Sequence, residues 1–316
     1  MALTAKAQLS ISQAAWEQLA YFALRPELYY DSLAEVKPTH QSTPGTTVTF
    51  TFSNEMAEIT AALGEGVDAV TVQIGNNQVQ VTLAEYGSAV QTTAQLRATA
   101  FYAVNPVVAN LVGWNAGSSV DGIARSALAT NGDAYANRIW SGAAVSTGTV
   151  AVAHTLAGNE VRKAVARLRS GNAPTYNGVY KGIIHPDISY DFRGTTGGTN
   201  WSDPHVYSDP SGVYNGVVGT FQGVQFMETP RAPLFVDAGT PGTVDVYRTL
   251  IMGRQALAKA YCINGEYGQQ PVLVDVPVID VLRRFTGVGW KHFVGYKIFR
   301  TASLWGIESA SSIGTN

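Results

Sequence analysis

The sequence predicts an α+β fold, with sheet and helix in separate stretches and no regular alternation between them. Three observations predict it. Residues 46–87 contain three short runs in which apolar and polar side chains alternate, and residues 105–129 repeat apolar side chains at helical spacing. Beyond residue 169, short apolar runs of both kinds are broken by Gly, Pro, Asn and Asp turns. A chain of 316 residues is long enough to bury a core without disulfide or metal staples. Its length fits one elaborated domain or about two ordinary ones.

The elements follow in order. Residues 1–44 read as an arm. Ser12 caps a helix that places Trp16, Leu19, Phe22 and Ala23 on one face, and Arg25-Pro26 interrupts it. A second amphipathic piece, Leu28 to Val36, runs into Lys37-Pro38 and a loose stretch ending at Gly45. Next, Val48, Phe50 and Phe52 alternate with threonines. Val70, Val72 and Ile74 then alternate with Thr71 and Gln73, and after a Gly75-Asn76-Asn77 turn Val79, Val81 and Leu83 alternate with polar residues. This predicts an extended hairpin system with one apolar face. Asn105-Pro106 starts a long helix with Val108, Leu111, Val112, Ala116, Val120, Ile123, Ala127 and Leu128 on its buried side. Gly113, Gly117 and Gly122 each cost it about 1 kcal/mol relative to Ala, so tertiary or intersubunit packing must hold it.

A third helix spans Leu156 to Arg169, with Val161, Ala164, Val165 and Leu168 inward and Arg162, Lys163, Arg167 and Arg169 outward. Gly182-Ile183-Ile184 reads as a buried strand, and Val217 to Phe226 as a hairpin. Val244 to Met252 reads as a strand leading into a short helix over Gln255 to Tyr261, and a strand from Gly295 to Ile307 closes the chain.

Charge is the unusual feature of the composition. Only 14% of residues are Asp, Glu, Lys or Arg, against roughly 25% in an ordinary soluble domain. The net charge of −2 excludes a nucleic-acid binder that works by global basicity. So few charges leave a monomer short of solvating surface, and concealment of that surface against partners resolves the shortage. The charges are also unevenly placed. Between Pro38 and Leu96 there is no Lys or Arg, and Glu55, Glu58, Glu65, Asp68 and Glu85 give −5, whereas Arg248 to Arg300 carries eight cations against three acids. These halves are expected to meet as complementary faces of neighbouring copies, through Glu55, Glu58, Glu65 and Asp68 on one side and Arg283 and Arg284 on the other, with Trp16 and Phe22 of the arm as apolar contacts.

Cys262 is the only cysteine, which excludes an internal disulfide and a multi-thiolate metal site. The N-terminus lacks the pattern of a secretory signal, and no run approaches the ~18 apolar residues of a membrane span; an intracellular, soluble chain is expected. Gly64-Glu65-Gly66-Val67-Asp68-Ala69 matches a dinucleotide-binding string, but a strand pattern follows where that chemistry needs a helix N-terminus. His185, Asp187 and Asp191 lie within seven residues; a soluble metal-dependent hydrolase would use them, but His185-Pro186-Asp187 reads as the turn that ends a strand. No nucleophile elbow, phosphate loop or metalloprotease motif is present. No enzyme, cofactor or metal is expected.

Taken in order, several strings resemble one family. They are Glu85-Tyr86-Gly87; Asn105-Pro106 with Asp121, Arg125 and Leu128; Tyr180 to Asp187 followed by Tyr190-Asp191-Phe192-Arg193; Val213 to Gly219; Gly223-Val224-Gln225-Phe226; Glu228-Thr229-Pro230; Leu250-Ile251-Met252-Gly253; and Gly287-Val288-Gly289-Trp290-Lys291. They resemble the major capsid proteins of tailed double-stranded DNA phages, with the Hong Kong 97-like fold, and within these the phage-N-four-type family. The resemblance implies an N-terminal arm at 1–44 and an E-loop hairpin at 45–87. It implies a peripheral domain with a spine helix at 88–152, an axial domain at 153–285 and a return to the peripheral domain at 286–316. It implies a structural virion protein, assembled in the host cytoplasm as hexamers and pentamers around packaged DNA, with portal and scaffolding proteins as partners, a possible cement or decoration protein, and no membrane. Gly113, Gly117 and Gly122 become flex points of the spine helix.

Two departures qualify the resemblance. The prototype of the fold crosslinks an E-loop lysine to an asparagine of another subunit, and this chain has no lysine between Lys37 and Lys163, so no such bond from the hairpin is expected. There is also no long charged helical region ahead of the arm, so either a separate scaffolding protein or a cleaved N-terminal extension is expected, and Met1 favours the former. An encapsulin-like nanocompartment shares the implied fold but encloses protein cargo.

Overall fold

The structure, a computed structural model, describes residues 28–40, 46–53, 56–60, 62, 66, 68, 71–100, 104–129, 137–194, 217–263, 266–276, 282 and 284–314. In chain order the first elements are β1 (Glu35–His40), β2 (Thr47–Ser53), β3 (Asn76–Thr82), β4 (Ala84–Thr93), α1 (Ala94–Thr99), α2 (Val104–Ala129), β5 (Arg138–Trp140), α3 (Gly158–Ser170), β6 (Tyr180–Ile184) and α4 (Pro186–Gly194). There follow β7 (Val217–Phe221), β8 (Val224–Glu228), β9 (Leu234–Phe235), β10 (Val246–Met252), β11 (Leu257–Ile263), β12 (Val272–Val276), β13 (Phe285–Ile298) and β14 (Leu304–Ser309).

The strands form three sheets. One runs β1-β11-β13-β12, with β4 also paired to the long β13. The second runs β5-β14-β10-β6-β8-β7, with β9 on β10, and the third is the pair β2-β3. The second sheet is covered on both faces. On one side Val161, Ala164, Val165 and Leu168 of α3 and Ile188 and Phe192 of α4 pack onto Tyr180, Val224, Phe226, Ile251 and Ile307. On the other, Ala124 and Leu128 of α2 pack onto Ile183, Leu250 and Met252. The front half of α2 lies against the first sheet through Val112, Ala116 and Trp290. One helix thus ties the two large sheets together, which is the external packing its three glycines require.

The β2-β3 pair rests on the first sheet. Val48, Phe50, Val81 and Leu83 cover Ala258 and Ala260, and the Phe299 ring lies 5.7 Å from Phe50 and 5.3 Å from Phe52. The close approach needs a glycine on β13: a Cβ at Gly295 would overlap the Thr82 carbonyl oxygen.

Five readings of the sequence are corrected. Residues 71–75 are exposed and form no strand; the partner of β3 is β2, with Phe50 opposite Val79, and Asn76-Asn77 belong to β3 instead of a turn. The large Phe50 and Phe52 rings have an apolar seat to fill, whereas Val72 and Ile74 remain 51% and 68% exposed. His185-Pro186-Asp187 opens the helix α4, since Pro186 suits its first position and Ile188 and Phe192, four apart, seat it in the core. The short helix read over Gln255 to Tyr261 is instead mostly the strand β11, where burial of Leu257, Ala258 and Ala260 between strands outweighs a propensity of a few tenths of a kcal/mol per residue. Gly295 to Ile307 is the end of β13, a turn and β14, in two different sheets. Similarly, Leu28 to Val36 holds one short helical turn, Asp31–Leu33, before β1 begins at Glu35.

Candidate functional site

With no grouped catalytic side chains expected, function falls to the elements that set the shape of the chain and the surfaces it offers. The shape is set by polar contacts along one face of α2, at Asn115, Ser118, Asp121, Arg125 and the Ala129 carbonyl, recurring every three or four residues. At the front, Trp290 donates its indole N–H to Asn115 at 2.9 Å. In the middle, Arg231 donates to the Ser118 hydroxyl at 2.7 Å and to the Ser118 carbonyl at 2.8 Å, and lies 3.7 Å from Asp121. Asp121, buried, accepts the Tyr30 backbone N–H at 2.8 Å, and Arg125 donates to the Arg231 carbonyl at 3.1 Å. At the end, Arg248 donates to the Ala129 carbonyl at 2.7 Å, where the helix dipole favours a cation. Burial pushes the Asp121 carboxyl above its usual range, opposed by the Tyr30 N–H and by Arg231.

Two further buried clusters brace the sheets. Arg248 meets Glu308 at 2.6 and 3.1 Å, and Glu308 also accepts from Trp140 at 3.0 Å and Thr147 at 2.6 Å. Lys259, buried on β11, donates to Asp31 at 2.7 Å, and the Tyr296 hydroxyl donates to the same oxygen at 2.5 Å. Beside them His292 is fully buried, and neither ring nitrogen has a hydrogen-bond partner. Burial, reinforced by the Lys259 ammonium, pulls its imidazole down to about 4. The unfolded chain therefore takes up this proton first. The contribution of neutral His292 is intact above the ordinary histidine value of about 6.5 and is lost as pH falls through about 4, up to about 3 kcal/mol in all. Unfolding midpoints measured between pH 7 and 4 are expected to fall less steeply in His292→Phe than in the unaltered chain.

The residues singled out from the sequence are distributed as follows. Trp16, Phe22, Glu55, Glu65 and Arg283 lie outside the described residues. Glu58 and Asp68 are exposed in the stretch between β2 and β3. Arg284 is exposed just before β13, its guanidinium 5.6 Å over the Phe285 ring. Among the described residues, at least four of the eight cations between Arg248 and Arg300 pair within the chain: Arg248 with Glu308, Arg254 with Glu35, Lys259 with Asp31 and Lys291 with Glu266. The basic half thus offers a neighbour less charge than its count implies.

The glycines of α2 differ from one another. A Cβ at Gly117 would come 3.2 Å from Leu28, one at Gly122 would come 3.5 Å from Arg231, and one at Gly113 would meet nothing within 4 Å. Gly113→Ala is therefore expected to stabilise the unassembled chain by about 0.5–1 kcal/mol, read as a raised denaturation midpoint.

His185, Asp187 and Asp191 each serve the fold. The Asp187 carboxylate lies 3.3 Å from His185 and accepts the Tyr247 hydroxyl at 3.0 Å, and Asp191 accepts the Ser312 backbone N–H at 2.8 Å, pinning the C-terminal segment. Among the described residues, no three His, Cys, Asp or Glu side chains are grouped to hold a metal ion, and no helix is long and apolar enough to cross a membrane.

The Arg231 and Arg248 contacts were not singled out from the sequence. The Glu228-Thr229-Pro230 string that precedes Arg231, together with Asp121 and Arg125, was the available signal.

Comparison with known proteins agrees with this architecture. No curated protein matches the sequence significantly. Among solved structures, the capsid of Ralstonia phage GP4 is similar over 98% of both chains, with a TM-score of 0.75 and 15% identity. The cyanophage Pam1 capsid covers 86% of this chain and 87% of its own, with a TM-score of 0.66 and 16% identity. The cyanophage P-SCSP1u capsid covers 92% and 90%, with a TM-score of 0.66 and 14% identity. The fold is thus the Hong Kong 97-like fold of tailed-phage major capsid proteins. The sequence profile of the phage capsid protein family matches residues 6–312, and the chain belongs to that family: it is a structural, virion shell protein.

Proposed function

We propose that this chain self-assembles as hexamers and pentamers into the icosahedral head of a tailed phage and encloses its double-stranded DNA. The family match over residues 6–312, joined to a capsid fold along the whole chain, carries this reading. Residues 1–44 act as the arm, 45–87 as the E-loop hairpin that reaches a neighbour, 88–152 as the peripheral domain with α2 as its spine, 153–285 as the axial domain and 286–316 as the return. Portal and scaffolding proteins accompany assembly in the host cytoplasm, and DNA is met non-specifically through Lys and Arg. Each contact is modest, and repetition around closed symmetry makes the particle stable.

The shell is held without an E-loop lysine crosslink, because residues 38–162 contain no lysine. A denaturing gel of purified particles is expected to show one band at 33.6 kDa, whereas a ladder of covalent oligomers would contradict this. Glycine flexing in α2 is tested by Gly117→Ala and Gly122→Ala: unchanged assembly and expansion would remove that role.

A further inference from the structure

Two features of the chain are unsatisfied in the same way. Residues 71–75, Thr-Val-Gln-Ile-Gly, have the alternation of a half-buried strand, yet they are exposed, pair with nothing in the sheets, and leave Val72 and Ile74 in water. β12 is a strand with one open edge: it pairs with β13 on one side and, among the described residues, with no strand on the other. Its sequence Val-Leu-Val-Asp-Val carries no lysine, proline or bulge, and Asp275 is the one charge that guards the edge. Leu273 is 55% and Val274 38% exposed.

The face beside that edge is shaped to be covered. Across β12, β13 and β4 the register sets Val274 beside Gly289 and Gly289 beside Ala89, and Lys291 beside Gly87. With glycines and alanine in the middle, the sheet forms an open trough of about 370 Å3 whose lining includes Gly87, Ala89, Val274, Gly289 and Lys291, with Asp275 at its rim. On the opposite face α2 packs on Trp290 and Val288 of β13, while Leu273 of β12 stays exposed.

We infer that residues 71–75 of one copy add to the open edge of β12 in a second copy as an extra strand, with Val72 and Ile74 on the Val272/Val274 face, over the trough. A second copy is the occupant for three reasons. The chain itself carries an unpaired segment with the length and period the edge needs. Strand addition satisfies the open backbone groups of both partners, with alternate side chains providing the specificity. Charge favours the approach modestly: the stretch that carries 71–75 is acidic and free of Lys and Arg, whereas residues 272–298 carry Arg283, Arg284, Lys291 and Lys297 against Asp275 and Asp280, with Lys291 already paired to Glu266. The inference rests on the shell reading above and specifies where one of its contacts lies.

Cysteine pairs test it, in full-length chain carrying Cys262→Ser. Val72→Cys is combined separately with Val272→Cys, Val274→Cys and Leu273→Cys, and assembled particles are oxidised mildly. Facing residues of paired strands share one side of the sheet. Val272 or Val274 is therefore expected to give reducible covalent multimers, and Leu273 to give none. Multimers from Leu273 alone, or from no pair in well-formed particles, would overturn the pairing. Hydrogen exchange on the unaltered chain provides the second measurement. On assembly, amides in 71–75 and 272–276 are expected to slow together by on the order of tenfold or more; exchange in 71–75 as fast as in the free chain would overturn it. Failure of the unaltered chain to form any particle would instead remove the shell reading, and this inference with it.

Discussion

Arg248→Met is expected to lower the stability of the chain by about 3–5 kcal/mol, the cost of leaving one member of a buried ion pair without its partner. The side chains of Arg248 and Glu308 are 4% and 0% exposed, and their nearest atoms are 2.6 Å apart. With the guanidinium gone, the Glu308 carboxylate keeps its neutral donors Trp140 and Thr147 and a distant Arg138 at 4.0 Å. The same change strips the Ala129 carbonyl of its donor and removes the cation that lies 4.4 Å over the Phe235 ring. Against a typical domain stability of about 5–15 kcal/mol, such a loss decides whether the chain accumulates folded. Adding Glu308→Gln to Arg248→Met removes the stranded charge while keeping an acceptor, and is expected to recover part of the loss. Denaturant midpoints at constant slope measure both variants. A loss below about 1 kcal/mol would mean that the pair behaves as a solvated one.

Asp121→Ala is expected to cost about 2–4 kcal/mol, because it removes the acceptor of the buried Tyr30 N–H and the counter-ion of Arg231 together. Asp121→Asn separates the two losses. Burial already raises the carboxyl above its ordinary range, so a neutral side chain of the same shape is expected to cost less, about 1 kcal/mol. Ser118→Ala, which removes only the hydroxyl acceptor of Arg231, is expected to cost about 1 kcal/mol as well. Equal losses for Asp121→Ala and Asp121→Asn would show that the charge, and not the Tyr30 hydrogen bond, carries the contact. Since Tyr30 directly precedes the Asp31–Leu33 turn and β1, the alanine variant is also expected to loosen the entry into the first sheet.

What the sequence revealed depended on how local the determinant was. The α2 helix was legible because 26 residues of helical spacing outweigh three glycines. The α3 helix was legible because its buried and charged stripes separate cleanly. The β2 and β3 strands were legible from alternation, but their partnership was not, since Val70 to Ile74 offered β3 an equally good pattern at shorter range. The choice was made by Phe299 and Gly295, more than two hundred residues away in sequence. Residues 255–261 misled for a related reason: Gln, Ala, Leu and Lys favour a helix locally, and only the flanking β1 and β13 turn them into a strand. Charge counting had the same blind spot. It treated Arg248 and Lys259 as surface cations, although Glu308 and Asp31, the partners that bury them, lie 60 and 228 positions away. The contacts along α2 were legible only as residues shared with a family, without the geometry that links Asp121 to Arg231.

Electron microscopy of the purified, full-length chain after expression tests the central claim most directly. Closed shells, tubes or ring-shaped capsomers are expected; a uniform population of monomers, under conditions where the chain is folded, would contradict it.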